Sequence, residues 1–149
     1  MKQLALIAMI VLFGCQPQIK QLPQEPRVSD PTRDVLTGAW TITNYYTVNN
    51  ITGDTIFEDR TQYKLYVDGN VMWGLESAED LSEMFGYGTY VLDGDTLRET
   101  MISGSNGFRK ALALEGNLFS MDLNIFDDSY TQVHRQDSVT VYEVYDRVN

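Results

Sequence analysis

Gly86-Tyr87-Gly88-Thr89-Tyr90-Val91-Leu92, then Asp93-Gly94-Asp95, then Thr96-Leu97-Arg98-Glu99-Thr100-Met101-Ile102 is the stretch that decides the fold. Two β-prone runs flank an Asp-Gly step, and Asp-Gly tolerates the positive φ that tight hairpin turns demand. In an extended chain successive side chains point to opposite faces. Leu97, Glu99 and Met101 therefore share one face, and Thr96, Arg98 and Thr100 the other. On the partner run Gly88, Tyr90 and Leu92 alternate with Tyr87, Thr89 and Val91. The result is a β-hairpin whose apolar face carries one acid, Glu99.

The same grammar extends in both directions. Strands are expected at 39–48, 54–58, 62–67, 71–73, 86–92, 96–102, 108–114, 118–126, 130–135 and 139–148. Asp68-Gly69-Asn70 and Glu115-Gly116-Asn117 supply further turns. No proline occurs beyond position 31, which suits uninterrupted sheet pairing. Consecutive hairpins predict an all-β fold, an antiparallel up-and-down meander of about eight to ten strands that closes into a barrel and so removes its edges. One segment breaks the pattern: Leu75, Ala78, Leu81 and Met84 or Phe85 recur at helical spacing, and Ser77 with Asp80 resembles a capping box. A short helix is expected over 75–85, either as a lid over a cavity mouth or as a plug closing one barrel end.

The N-terminus has another character. Met1-Lys2-Gln3 is followed by ten unbroken apolar residues, Leu4 to Phe13, then Gly14 and Cys15. As a helix such a run spans about 15 Å, roughly half a bilayer core, so an export signal fits better than a membrane span. Leu12-Phe13-Gly14-Cys15 resembles the lipobox of bacterial lipoprotein precursors. That resemblance implies cleavage of residues 1–14, a diacylglycerol on the Cys15 thiol and attachment to a membrane. Cys15 is the only cysteine, so an internal disulfide is not an alternative use for it. Residues 15–34 then form the lipidated cysteine and a Pro/Gln-rich tether, and 35–149 the barrel domain. As a flexible coil the tether spans roughly 25 Å. Gln16, standing where an aspartate would signal retention, implies by the same analogy the outer membrane of a bacterial envelope.

The formal charge is −10, and loss of Lys2 with the signal makes it −11. A body this acidic is repelled by phosphate backbones, so no nucleic-acid partner is expected. Candidate catalytic groups are few. His134 is the only histidine, so no His/Cys metal cluster can form, and no metal, cofactor or catalytic residue is assigned. Asp93 and Asp95 do not begin an EF-type loop, because Arg98 stands where glycine is required. A nucleophile elbow, a Walker-type loop and G-x-G-x-x-G are all absent from the sequence. An enzyme would need Glu99 or His134 in a cleft beside a second polar group.

The strand faces say more. Glu99 between two apolar residues is expensive to bury alone, so it needs a basic or hydroxyl partner inside the barrel, or a wet interior that holds a polar ligand group. Tyr66, Trp73, Tyr87 and Tyr90 could supply aromatic walls beside it. Gly38-Ala39-Trp40 resembles the G-x-W motif of lipocalins, which implies that Arg147 on the last strand stacks over Trp40 in a structural role. Three segments in order, 36–40, 86–90 and 95–99, are similar to the lipocalin-like domains of uncharacterised bacterial lipoproteins. Two functions from different classes follow. One is a membrane-anchored barrel that binds a small, partly apolar ligand through Tyr66, Trp73, Tyr87, Tyr90 and Glu99. The other is an envelope interaction or structural protein with a filled barrel and no small-molecule ligand.

Overall fold

The computed structural model describes residues 34–76 and 83–149. The signal-like segment, Cys15, the tether up to residue 33 and the Ser77/Asp80 pair lie outside the described residues. In chain order the elements are β1 (Gly38–Asn49), β2 (Thr55–Phe57), β3 (Thr61–Val67), β4 (Asn70–Glu76), β5 (Glu83–Asp93), β6 (Thr96–Gly104), α1 (Asn106–Glu115), β7 (Leu118–Ile125), β8 (Ser129–Arg135) and β9 (Val139–Arg147). All pairings are antiparallel, and each strand from β3 to β9 lies beside its neighbour in sequence. β9 returns to β1, so that β1 and β3 to β9 form a closed eight-stranded barrel.

β1 is long enough to serve two partners on its other edge. Its first half pairs with β3 and its second half with the short β2. A register shift between Ile42 and Asn44 marks where the strand bends from one partner to the next, the usual consequence of an extra residue in a ladder.

The registers place Trp40, Tyr66, Tyr90, Leu97, Tyr130 and Tyr145 in the interior near one end, the base. Leu36, just before β1, is fully buried there. Trp40 meets Tyr130 edge-on at 4.8 Å, Tyr66 meets Tyr90 edge-on at 4.8 Å, and Tyr130 stacks on Tyr145 at 4.9 Å. The Arg147 guanidinium lies 4.1 Å over the Trp40 ring and donates to the carbonyls of Val35 and Thr37. The Trp40 indole in turn donates to the carbonyl of Leu36. The entering chain is thus laced across the base, and apolar and aromatic burial fills it. The opposite end, the mouth, carries α1 between β6 and β7.

The position of the helix corrects two expectations. Residues 108–114, expected as a strand, belong to α1. Phe-Arg-Lys-Ala-Leu-Ala-Leu-Glu is built almost wholly of strong helix formers, and Phe108 and Leu112 lie one turn apart on the face packed toward the core. Ser105 caps the start by accepting from the Phe108 amide, and Gly116, at φ 88°, closes the end with its amide on the Leu112 carbonyl. Glu115-Gly116-Asn117 is therefore a helix stop followed by a strand, not a hairpin turn.

Conversely, the described part of 75–85 is strand. Leu75 and Glu76 end β4, and Glu83, Met84 and Phe85 begin β5. Leu75 pairs directly with Met84 across the ladder, so the two ends of the apparent helical period lie on facing strands, while Ala78 and Leu81 lie outside the described residues.

Candidate functional site

Alternation on β3 puts Gln62, Lys64 and Tyr66 inside and Thr61, Tyr63, Leu65 and Val67 outside. A lysine in that inner row is costly to bury unless a partner meets it. Glu99, on β6 across the barrel, does so: the Lys64 Nζ lies 2.9 Å from Glu99 Oε1, and the residues are only 5% and 4% exposed. The same ammonium donates to Gln132 Oε1 at 2.9 Å and reaches the Tyr66 hydroxyl at 3.4 Å. The Tyr66 hydroxyl donates to Glu99 Oε1 at 2.7 Å. Glu99 therefore has both a basic and a hydroxyl partner inside the barrel.

The network continues around the wall. Gln132 on β8 donates to Glu143 Oε2 on β9, which also accepts from the Tyr145 hydroxyl at 2.7 Å. Gln62 closes the loop by donating to the Tyr145 hydroxyl. Arg60, just before β3, stacks 3.4 Å over the Tyr45 ring and lies 3.8 Å from both Glu58 and Glu143. Burial, with the charges of Glu99 and Glu143 nearby, pushes the hydroxyls of Tyr66 and Tyr145 well above the usual tyrosine range. Burial does the same to Tyr130, whose hydroxyl has no hydrogen-bond partner among the described residues. These phenols stay protonated at neutral pH, and those of Tyr66 and Tyr145 act there as fixed donors.

Above this polar floor a cavity of about 230 Å³ leads toward the mouth. Lys64, Glu99, Gln62, Gln132, Glu143 and Arg60 form its polar side. Trp73, Leu75, Met84, Met101, Phe108, Phe119 and Met121 form the apolar side. Trp73 and Phe108 meet edge-on at 4.8 Å, so the helix contributes directly to the wall. Gly86 makes room for them: a Cβ there would stand 2.6 Å from the Trp73 indole nitrogen and 2.8 Å from the Phe108 ring. Flexible methionines among aromatics make a wall that adapts to ligand shape.

Of the five candidate ligand residues, Trp73 and Glu99 line this cavity. Tyr66 supports Glu99 from below, and Tyr90 is buried against Tyr66 in the base. Tyr87 must be corrected. It is 39% exposed on the outer face, with its hydroxyl on Asn70, because the pleat that turns Gly86, Gly88 and Tyr90 inward turns Tyr87 out. Lys64, Gln62, Gln132, Glu143 and Arg60 were not singled out in the sequence. The inner row Gln62, Lys64, Tyr66 could not be read from β3 alone, since the outer row Tyr63, Leu65, Val67 is the more apolar one and alternation would turn it inward. His134, half-buried on β8, stands outside the cavity lining.

No protein-family profile and no curated protein sequence matches the chain. Among solved structures it is similar to a lipocalin-like protein from Bacteroides uniformis, with a TM-score of 0.55 at 11% identity, over 77% of this chain and 100% of that one. The fold is lipocalin-like. An uncharacterised protein from Bacteroides eggerthii is similar at a TM-score of 0.49 and 15% identity, over 76% of this chain and 99% of that one. At 11% identity the likeness to the Bacteroides uniformis protein concerns the fold alone. What this barrel holds has to be argued from its own lining.

Proposed function

We propose that this protein is a lipid-anchored, lipocalin-like binding module that holds a small, partly apolar molecule in the barrel interior. One observation carries the proposal: a buried, charge-bearing floor at the foot of a largely apolar cavity. A buried ion pair is often replaceable by hydrophobic packing at no loss, so a fold that needed only stability has no use for one at the foot of a cavity. The cavity lies just below the usual range of about 300–1,000 Å³ for drug-sized ligands, so a compact molecule fits better than a retinoid or a haem. Titration of tryptophan emission with a panel of short amphiphiles tests the site. A saturable change with at least one of them supports it, and none with any overturns it.

The anchor rests on the lipobox-like Leu12-Phe13-Gly14-Cys15 and implies attachment at the outer membrane of a bacterial envelope. Radiolabelled acyl chains incorporated into the wild type should be lost in Cys15→Ser, and unchanged labelling would remove the anchor from the proposal.

A second function, as an envelope interaction protein, has an observation of its own. The outer face of β3 to β5 presents Tyr63, Leu65, Met72 (52% exposed) and Phe85 (55% exposed) around the bare backbone of Gly74. Contiguous apolar surface of this kind marks contact sites on other proteins. Pull-down from the membrane fraction with Met72→Lys, compared with wild type, separates it from the ligand-binding function.

A further inference from the structure

We infer from the hydrogen-bond inventory of the cavity floor that the polar end of its ligand is a hydrogen-bond donor, a protonated amine first and an alcohol second, and not a carboxylate. This deepens the binding function proposed above and rests on it.

The ammonium of Lys64 has three N–H bonds to give, and three acceptors surround it: Glu99 Oε1, Gln132 Oε1 and the Tyr66 hydroxyl. The Tyr66 hydroxyl proton is committed to Glu99 Oε1, and that of Tyr145 to Glu143 Oε2. The orientation of the Gln132 amide is set by charge, with its oxygen toward the ammonium and its nitrogen toward the Glu143 carboxylate. The Lys64 ammonium and the two hydroxyl donors are thus spent on one another. The Arg60 guanidinium makes no hydrogen bond among the described residues, but its charge is met on both sides by Glu58 and Glu143, each 3.8 Å away. Acceptors remain. Glu99 Oε2 and Gln62 Oε1 belong to cavity-lining residues and have no hydrogen bond among the described residues.

Charge argues the same way. Lys64 and Arg60 are balanced by Glu99 and Glu143, and Arg60 already stands between Glu58 and Glu143. A carboxylate entering this site adds an unmatched negative charge beside Glu99, on a chain whose formal charge is −10. An ammonium or hydroxyl finds Glu99 Oε2 free to accept, while its alkyl part lies against Trp73, Phe108 and the methionines. The acidic field of the whole molecule also draws cations toward the mouth.

The test is a matched series, hexylamine, hexanol and hexanoate, titrated at pH 7. The protein is the full-length chain carrying Cys15→Ser, so that no acyl chain competes. Tryptophan emission and the Met101 methyl resonance report the cavity. The amine should bind at least about tenfold tighter than the carboxylate, with the alcohol between, as expected for one hydrogen bond to a charged acceptor. Glu99→Gln should weaken the amine by about the same factor and leave the alcohol within roughly threefold. If Glu99→Gln fails to fold, the order of the three ligands on the parent protein decides by itself. Hexanoate binding as tightly as hexylamine overturns the inference and leaves the cavity a ligand site. No shift of Met101 with any of the three removes the binding function itself.

Discussion

Lys64→Met is the most informative single change in the barrel. It leaves Glu99 buried with only the Tyr66 hydroxyl as a partner, and the carboxylate loses a 2.9 Å ion pair in a position 4% exposed. Removing one member of a buried pair costs about 3–5 kcal/mol. The adjoining cavity lets water approach the Glu99 carboxylate, which places the expected loss at the lower end, about 3 kcal/mol. At about 4 °C or more per kcal/mol for a domain of this size, Tm should fall by about 12 °C or more. The double variant Lys64→Met/Glu99→Leu removes both charges and should return to within about 1 kcal/mol of wild type. The coupling energy between the two sites is then about 2–4 kcal/mol. Urea denaturation of all four corners of the cycle, followed by circular dichroism and tryptophan emission, measures it. A loss under about 1 kcal/mol for Lys64→Met with additive behaviour in the double variant would mean the pair is fully hydrated. The floor would then not be a fixed donor–acceptor array.

Three other outcomes follow from the same geometry. Tyr66, Tyr130 and Tyr145 keep their protons in the fold at pH values where the unfolded chain has lost them, so the folded state binds more protons and stability falls as pH rises above about 10. The initial slope should approach about 4 kcal/mol per pH unit for three such groups, and tyrosinate absorbance should appear for them only on unfolding. Arg147→Ala removes a cation stacked on buried Trp40 and the donors to Val35 and Thr37, which should cost about 2–4 kcal/mol in urea denaturation, with Arg147→Lys recovering only part. Gly86→Ala drives a methyl into the Trp73–Phe108 contact; it should cost about 1–3 kcal/mol and abolish amphiphile-dependent emission changes in protein that remains folded by circular dichroism.

The barrel was legible because its signals are local. Asp-Gly turns, the two-residue alternation of 86–102 and the confinement of proline to the first 31 residues each act within one hairpin, and a chain of hairpins closes in few ways. The misassigned helix shows where local signals mislead. Phe108 to Leu114 alternates well enough for a strand, but its composition and the Ser105 and Gly116 caps favour a helix, while Leu75 and Met84 mimicked helical spacing from opposite arms of a hairpin.

The site was half legible for a different reason. Glu99 stood out because an acid on an apolar face must be compensated. Its partner Lys64 could not be named, since β3 and β6 are separated by β4 and β5 in the sheet and meet only through the barrel interior. A cross-barrel contact is set by closure and shear, which no single hairpin encodes. Tyr87 failed as a ligand residue on parity alone: it cannot share a face with Tyr90, three residues on.

The account stands or falls on whether the interior is a ligand site. The six methionines offer a direct readout, because Met84, Met101 and Met121 line the cavity while Met72 sits on the outer face. Methyl-labelled methionine spectra recorded during titration with hexylamine should show saturable shifts of Met84, Met101 and Met121 and an unmoved Met72. Resonances of all four that stay fixed, or that move together, would contradict a ligand seated between Trp73 and Glu99.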